Sequence, residues 1–262
     1  MQFEEVNFSD LNVLTTLILT LTLIIFFRYL VFSLVYHFTF FKLLKEKFEN
    51  RIFRKKKTKK TKKTKKKQIQ KEIYWSAISA LIFGCLAVGI YFLYQHNYTA
   101  IYTDFDAFSI FYIPLSIFLF LFLQDTYYYW IHRWMHNPKV YRYFHLVHHK
   151  SIHTTVFTSF SFHPLETILQ ALFFPIIVCV LPIHLFAFFF VLMLMTLSAT
   201  INHAGVEVYP SGKFGQFFSK HIIGATHHDE HHTKFNYNYG LYFTFWDKLM
   251  KTELENPHKK KS

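Results

Sequence analysis

The sequence predicts an all-α protein: an integral membrane helical bundle of about four to five spans, including a hairpin, with a histidine-rich cap on the cytoplasmic side. Three observations predict this fold. The 262-residue chain is 52% apolar, and its apolar residues fall into four long segments. Eight of its 17 histidines are grouped in three short boxes that follow these segments. The net charge of +13 arises in one Lys-rich segment.

The first apolar segment, residues 11–41, contains a single charged residue, Arg28. About 20 apolar residues in a helix cross a bilayer core, so we expect one span with Arg28 near its end, where a long side chain reaches the interface. Acidic residues precede this segment, whereas a cleaved signal peptide begins with basic ones. Residues 1–50 are therefore interpreted as an N-terminal membrane span.

Residues 51–71 form a polybasic linker with thirteen Lys and Arg residues and no acid, which equals the net charge of the chain. Like charges at this density repel, which predicts disorder. The segment is either a cytoplasmic loop that contacts anionic lipid head groups or a nucleic-acid-binding tract. The apolar segments on both sides favour the loop, so no nucleic acid partner is expected.

Three further apolar segments set the topology. Residues 72–106 contain a second span, at 74–95, and an acidic loop, and a third span covers 107–124. If the polybasic linker is cytoplasmic, the third span returns the first two histidine boxes to that side. Residues 167–206 contain no charged residue, and prolines in the middle predict a hairpin that brings the third box back to the same side.

The histidine boxes predict a metal site. The first contains His132 and His136, the second His145, His148 and His149, and the third His228, His231 and His232. Residues four apart share one face of a helix. Eight imidazoles exceed the roughly four ligands of one zinc ion and suit two metal ions, although imidazole alone does not choose between Zn, Cu, Fe and Ni. Both cysteines lie in apolar segments, so thiolate ligands are not expected.

The motifs around these boxes resemble those of the fatty acid hydroxylase/sterol desaturase superfamily. The resemblance covers residues 107–254, which are interpreted as the catalytic domain. It is carried by the run from Asp125 to His136, the second and third boxes, Phe162-His163-Pro164-Leu165-Glu166, and Asn202-His203-Ala204-Gly205. The segment Phe235–Gly240 with Trp246-Asp247 is similar to sterol C-5 desaturases and their bacterial relatives. One departure is Lys251, because the family often has glycine before the threonine at this turn.

The resemblance implies a membrane-bound non-haem di-iron oxidase. It would use two Fe ions, with Zn as a possible substitute, and O₂ to hydroxylate or desaturate a C–H bond of a lipid, with a sterol or a long-chain lipid as substrate. In hydroxylase members a histidine at the place of His203 is a ligand, which completes the predicted metal set: His132, His136, His145, His148, His149, His203, His228, His231 and His232. The chain contains no G-x-G-x-x-G motif and no His-Pro-Gly-Gly haem signature. Its electrons are therefore expected from a separate donor, a cytochrome b5 or a ferredoxin with its reductase.

Several neighbouring residues have open roles. His227 precedes the position at which the third box of the family begins, and His163 either orders a loop or lines the substrate entrance. Asp125, Glu166 and Asp229 could accept a hydrogen bond from the second ring nitrogen of a ligand, which fixes its tautomer. Each could equally be a helix cap or a surface charge.

Two other functions compete with the oxidase. One is a membrane zinc-dependent lipid hydrolase, and the other is a catalytically silent metal- or lipid-binding scaffold in which the polybasic linker is the active part. The basic tail, residues 255–262, resembles a dilysine retrieval signal. The expected location is the endoplasmic reticulum for a eukaryotic protein and the inner membrane for a bacterial one.

Overall fold

The computed structural model describes residues 6–53 and 59–254, with the backbone alone for residues 59–64. The described chain is mostly helical, which confirms the all-α membrane-helix prediction. Its α-helices are α1 Leu11–Phe38, α2 Lys45–Phe48, α3 Lys59–Gln95, α4 Tyr112–Met135, α5 Pro138–Phe144, α6 Leu146–His149, α7 Pro164–Ala171, α8 Phe173–Val180, α9 Leu185–His203, α10 Gly212–His221, α11 Ala225–Lys234 and α12 Phe245–Leu249. Short 3₁₀ turns cover Glu49–Arg51 and Val156–Phe160, and a π turn covers Thr39–Leu43.

Among the described residues, three helical stretches are long and apolar enough to cross a membrane, judged by length and composition: Leu11–Leu43, Lys65–Gln95 and Leu185–His203. In the first of them only Tyr29 and Tyr36 are buried among the large apolar side chains, which is the pattern of a helix that faces lipid. The stretch Pro164–Val180 is shorter, and α4 carries polar side chains in its second half. The number of spans, expected at about four to five, therefore stays a prediction.

The expected hairpin has its turn near Pro182. There β2, Ile183–His184, pairs in parallel with β1, Ile101–Tyr102, from the loop after α3. The ring of His184 then accepts a hydrogen bond from the backbone N–H of Phe186 at 3.2 Å and caps the first turn of α9.

The polybasic linker differs from its prediction. We expected residues 51–71 to be disordered, but α3 begins at Lys59 and continues without a break into the apolar stretch. Lysine is a good helix former, and extending an existing helix needs no new nucleus, so the membrane helix propagates into the lysines. At the N-terminal end of the linker, Ile52 forms an isolated β-bridge with Val206. Residues 54–58 and the basic tail lie outside the described residues.

A buried glutamate, Glu72, joins α3 to the segment that follows the second histidine box. Its carboxylate accepts hydrogen bonds from the hydroxyls of Ser151 at 2.7 Å, Thr155 at 2.6 Å and Thr158 at 2.9 Å. Only 2% of the residue is exposed, and a charge at this depth requires such partners. The interaction fixes the 3₁₀ turn Val156–Phe160 against the membrane helices.

Helix α1 holds the same turn from a second side. Tyr29 donates to the carbonyl of Phe157 at 2.9 Å, and Ser33 donates to the carbonyl of Val156 at 3.0 Å. Both donors lie more than 120 residues before their acceptors in the chain. Helices α1 and α3 therefore hold the segment that follows the second histidine box in place, although none of their side chains belongs to a histidine box.

Candidate metal centre

The three histidine boxes and the end of the hairpin meet at one place. His132 lies in the last turn of α4 and His136 caps its C-terminus. Asn137 then caps α5, and Pro138 occupies its first position, where a missing N–H costs nothing. This tight connection turns the chain back on itself, so that the second box on and before α6 faces the first.

The hairpin delivers a further histidine, His203, as the last residue of α9. Two residues later Gly205 has φ +69°, a left-handed conformation that glycine adopts without steric cost. The chain therefore leaves the helix sharply and continues towards α11, which carries the third box.

The structure brings all nine predicted histidines together in two clusters. Within each cluster the potential ligand nitrogens all lie within 4.8 Å of one another. We call them the five-histidine cluster and the four-histidine cluster. The five-histidine cluster contains His132, His136, His145, His149 and His231, and the four-histidine cluster contains His148, His203, His228 and His232.

The spacing of the boxes explains how one chain feeds two clusters. His145 and His149, four residues apart, enter the five-histidine cluster, while His148 points to the other cluster. In α11, His228 and His232 share the face of the four-histidine cluster, and His231 turns to the five-histidine one. An H-x-x-H-H box therefore supplies both clusters, because its residues alternate between two adjacent faces of a helix.

Several of the imidazoles are oriented by a hydrogen bond from Nδ1. Backbone carbonyls accept from His132, through Tyr239 at 2.8 Å, and from His231, through Tyr237 at 2.7 Å. His145 is held by the carboxylate of Glu166 at 2.7 Å. Such partners fix the tautomer and leave Nε2 with a lone pair for a metal ion.

The four-histidine cluster gives the clearest test of whether these residues suit a metal. Nδ1 of His148 faces the carbonyl of Ser161 at 3.3 Å, and Nδ1 of His203 faces that of Ala199 at 2.7 Å. A carbonyl only accepts, so both Nδ1 atoms carry the proton and both Nε2 atoms carry lone pairs. These two Nε2 atoms nevertheless lie 3.2 Å apart. Two lone pairs at this distance repel each other unless they share a cation.

The distances between ligand atoms also match a metal site. Nε2 atoms lie 2.9 Å apart between His132 and His145 and 3.0 Å apart between His149 and His231. In the other cluster Nε2 of His228 is 2.8 Å from that of His203. Two metal–imidazole bonds of about 2.0–2.1 Å at right angles place their nitrogens about 3 Å apart. The residues present therefore fit one metal ion in each cluster.

Burial prepares the imidazoles for this role. Desolvation, followed by the neighbouring imidazoles, lowers the pKa of His148, His149 and His232 well below the ordinary value for histidine. Desolvation by burial also lowers the pKa of His231, to about 4. The imidazoles are therefore neutral at physiological pH, which is the form that binds a metal ion.

The three acidic candidates have different surroundings. Glu166 is fully buried and holds His145, as one interpretation of the sequence proposed. Asp125 instead accepts from the backbone N–H groups of Leu241, Tyr242 and Phe243 through Oδ1, at 3.0, 2.7 and 3.2 Å. It thereby fixes the loop that follows the third box. Asp229 lies half-exposed on α11, next to His228.

The histidines weighed beside the boxes lie outside both clusters. Nε2 of His227 lies 3.8 Å from a carboxylate oxygen of Glu253, at the edge of a cleft of about 590 Å³ on the outer side of α11. His163 caps α7 by accepting from the backbone N–H of Leu165 at 3.3 Å. His153 is exposed.

Sequence reasoning missed two kinds of supporting group. Tyr237 and Tyr239 act through their backbone carbonyls, which no side-chain pattern reveals, although they directly follow the third box. Glu72 was missed because it lies outside every motif. A carboxylate at the start of an apolar helix, downstream of a polybasic tract without any acid, was the available signal.

The fold and the clusters define a class: a membrane-helix protein with two polyhistidine clusters that could each hold a metal ion. The model of the fatty acid hydroxylase family matches residues 117–252, more than half of the chain. The chain therefore belongs to the fatty acid hydroxylase family, within the superfamily that its motifs predicted.

Curated relatives come from the sterol desaturase side of this superfamily. Lathosterol oxidase of Homo sapiens is 33% identical over 184 residues, which cover 70% of this chain and 60% of the relative. A Delta(7)-sterol 5(6)-desaturase of Schizosaccharomyces pombe is 35% identical over 158 residues, 58% of this chain and 44% of the relative. That of Saccharomyces cerevisiae is 38% identical over 137 residues, 52% and 35% respectively. The chain thus spans 60% or less of their lengths, and no solved structure matches it significantly.

Proposed function

We propose that the chain is a membrane-bound non-haem di-iron oxidase that hydroxylates or desaturates a C–H bond of a lipid. The reaction consumes O₂, two electrons and two protons. Hydroxylation yields an alcohol and one water, and desaturation yields a double bond and two waters. The observation that carries the proposal is the pair of buried clusters in which unprotonated Nε2 atoms face one another at about 3 Å. The names of the relatives support an oxidation of a sterol.

Each part of the chain has a role in this reaction. The nine histidines would hold two iron ions, for which zinc is a possible substitute, and bound iron would supply the redox chemistry that O₂ activation requires. The hydrogen bonds from Nδ1 keep the rings in place, and burial of eight of the nine histidines keeps bulk water away. The apolar helices present a lipid substrate from the bilayer.

The substrate would meet the clusters on their membrane side. There the buried ring of Tyr128 lies 5.0 Å from that of His132, and Phe162 lies 5.0 Å from His148. These apolar surfaces position a hydrocarbon without offering it an acid or a base. Regioselectivity would then follow from how the lipid lies against the two rings, because C–H oxidation requires close approach and not acid–base chemistry.

The test is lipid mass spectrometry on a host that expresses the chain with a suitable electron donor, beside one that expresses His148→Ala. A lipid that gains one oxygen only with the intact chain identifies a hydroxylase and its substrate, and one that loses two hydrogens identifies a desaturase. A hydrolysed lipid together with bound zinc and no O₂ consumption would instead support the zinc hydrolase. Identical lipids in both hosts at equal expression would contradict the oxidase.

A further inference from the structure

The five-histidine cluster comes close to the protein surface at one place. His136 is half-buried, whereas the other eight histidines of the two clusters are buried. Two half-buried aromatic residues cover this point. The ring of Tyr141, on α5, lies 5.7 Å from His136 and 5.9 Å from His149, and the ring of Phe235, after α11, lies 4.9 Å from His149. The two aromatic rings lie 6.3 Å from each other.

These contacts form a continuous path from solvent to the predicted ligands. Tyr141 and Phe235 each touch solvent on one side and an imidazole of the five-histidine cluster on the other. We call this pair the aromatic window. A redox group that docks over it needs only one layer of side chains between itself and the ligands.

Four exposed cations lie close in sequence to the two residues of the aromatic window and to His149. Arg142 follows Tyr141, Lys234 precedes Phe235, and Lys150 follows His149, while Lys139 lies two residues before Tyr141; all four are exposed. Residues 126–165 contain no acidic residue. The nearest acids on α11, Asp229 and Glu230, lie a turn before Lys234, and Glu230 lines the cleft on the outer side of that helix.

The start of α3 continues this basic surface. Gln68 donates to the carbonyl of His153 at 2.8 Å, and Ser151, next to Lys150, donates to Glu72, next to Lys71. The exposed lysines of this turn, Lys66, Lys67 and Lys71, are thereby brought alongside Lys150. The polybasic segment, which the catalytic chemistry does not use, thus borders the metal centre.

The geometry points to a docking face for an acidic electron-carrier protein, formed by the aromatic window and the cations Lys139, Arg142, Lys150 and Lys234. The inference rests on the proposed oxidase function, which requires electrons that the described chain has no motif to supply. Charge complementarity selects an acidic partner and accelerates its encounter, because rim charges act mainly on the association rate. An anionic lipid surface would bind the same cations, but it carries no redox group that would require a short path to the ligands.

The first test measures binding without turnover. The full chain, loaded with zinc to make it redox-inert, is held in nanodiscs of neutral phosphatidylcholine and titrated with two acidic probes, oxidised soluble cytochrome b5 and a plant-type ferredoxin. We expect Lys139→Glu combined with Arg142→Glu, and Lys150→Glu combined with Lys234→Glu, to weaken binding of at least one probe by about tenfold or more and to reduce its salt dependence. Lys45→Glu with Lys47→Glu, exposed on α2, is the matched control and should change the affinity less than twofold.

The second test separates docking from chemistry. With the iron-loaded chain, the two pairs of charge-reversal substitutions should raise the KM for the protein donor and leave kcat at saturating donor unchanged. Turnover driven by reduced methyl viologen, a small cation that needs no acidic docking face, should also be unchanged. Loss of turnover with both donors would place these cations in the folding of the centre and overturn the inference.

Three other outcomes are equally decisive. Equal affinities of parent and reversed chains, or binding of neither probe, would overturn the docking face while leaving lipid oxidation with methyl viologen intact. Reversals that weaken only binding to vesicles containing phosphatidylserine would assign the cations to lipid. Failure of the iron-loaded parent to oxidise lipid with any reductant would instead contradict the proposed function itself.

Discussion

The two histidine clusters differ in the number of imidazoles and in their distance from solvent. The four-histidine cluster is fully buried and has as many imidazoles as a tetrahedral metal ion uses. The five-histidine cluster has one more, includes a half-buried ligand and contains the only predicted ligand that the described structure pairs with a carboxylate. The difference indicates that the four-histidine cluster needs all of its imidazoles to hold an ion, whereas the five-histidine cluster has one more than it needs and lies beside the proposed docking face.

The strongest test of this comparison removes one ligand from each cluster. We expect His148→Ala to lose one of two bound metal ions and to lower lipid oxidation about 100-fold or more, because three imidazoles remain. His136→Ala leaves four and should keep both ions with a loss of about tenfold, within the range typical of changes around metal sites. Metal analysis of the purified variants beside product formation provides the measurement. Equal metal loss in both variants would contradict the inference that only the five-histidine cluster can lose one imidazole and keep its ion.

A second test acts on the carboxylate that distinguishes the clusters. Glu166→Leu keeps the volume and removes the acceptor for His145, and loss of such a partner typically lowers metal affinity by about 10–100-fold. The effect should appear in the five-histidine cluster alone. Competition with a chelator, followed by the spectrum of cobalt-substituted protein, would show one site weakened and one unchanged. Gln170→Leu is the control, because Gln170 contacts the same carboxylate at 3.0 Å but no histidine.

A third test reaches the four-histidine cluster from a distance. Glu72→Gln removes the charge that accepts from Ser151, Thr155 and Thr158, and hydrogen bonds to charged groups contribute about 1.5–3 kcal/mol each. We expect lower thermal stability and a changed cobalt spectrum of the four-histidine cluster, because the fixed turn directly precedes Ser161, whose carbonyl faces Nδ1 of His148. Glu46→Gln, at an exposed position of α2, removes the same charge and should have neither effect. A fall in stability with an unchanged spectrum would limit Glu72 to a structural role.

The smallest expected effect lies outside both clusters. Lys251 has φ +55°, a left-handed conformation that costs a residue with a Cβ atom about 1–2 kcal/mol. Lys251→Gly should therefore raise the free energy of unfolding by up to about 1 kcal/mol after the entropy lost by glycine is included. Metal content and product formation should stay as in the parent chain. A lower melting temperature would show that the lysine side chain makes a compensating contact.

Much of the candidate site was predictable because the candidate metal ligands are side chains, whose types and spacing are visible in the sequence. The i, i+4 pairs His132/His136 and His228/His232 do share clusters, and the motif around His203 placed it with the boxes. The number of imidazoles predicted two metal ions, but the assignment of each histidine to one of the two clusters was not predicted, since it depends on how α6 and α11 pack against each other. Likewise the carbonyls of Tyr237 and Tyr239 orient ligands whatever side chains they carry.

The fold shows a similar limit. Apolar length predicted the membrane helices, and the prolines in the middle of residues 167–206 predicted a hairpin there. Charge repulsion predicted disorder at residues 51–71, whereas α3 begins at Lys59, where a contiguous helix and the contacts of Gln68 and Glu72 oppose the repulsion. The left-handed turn at Lys251 was visible only as a departure from the family pattern. In each case a local rule failed where a distant contact or a backbone angle decides the structure.

The close approach of unprotonated nitrogens in both clusters has a consequence for the life of the protein in a cell. Without a cation, the folded centre holds lone pairs against each other at 3.2 Å between His148 and His203, so metal binding stabilises the fold and does more than enable chemistry. Newly made chains that miss their metal would populate open states, which quality-control proteases degrade. The steady-state amount of this protein should therefore follow the metal supply of its host, even when its transcription is constant.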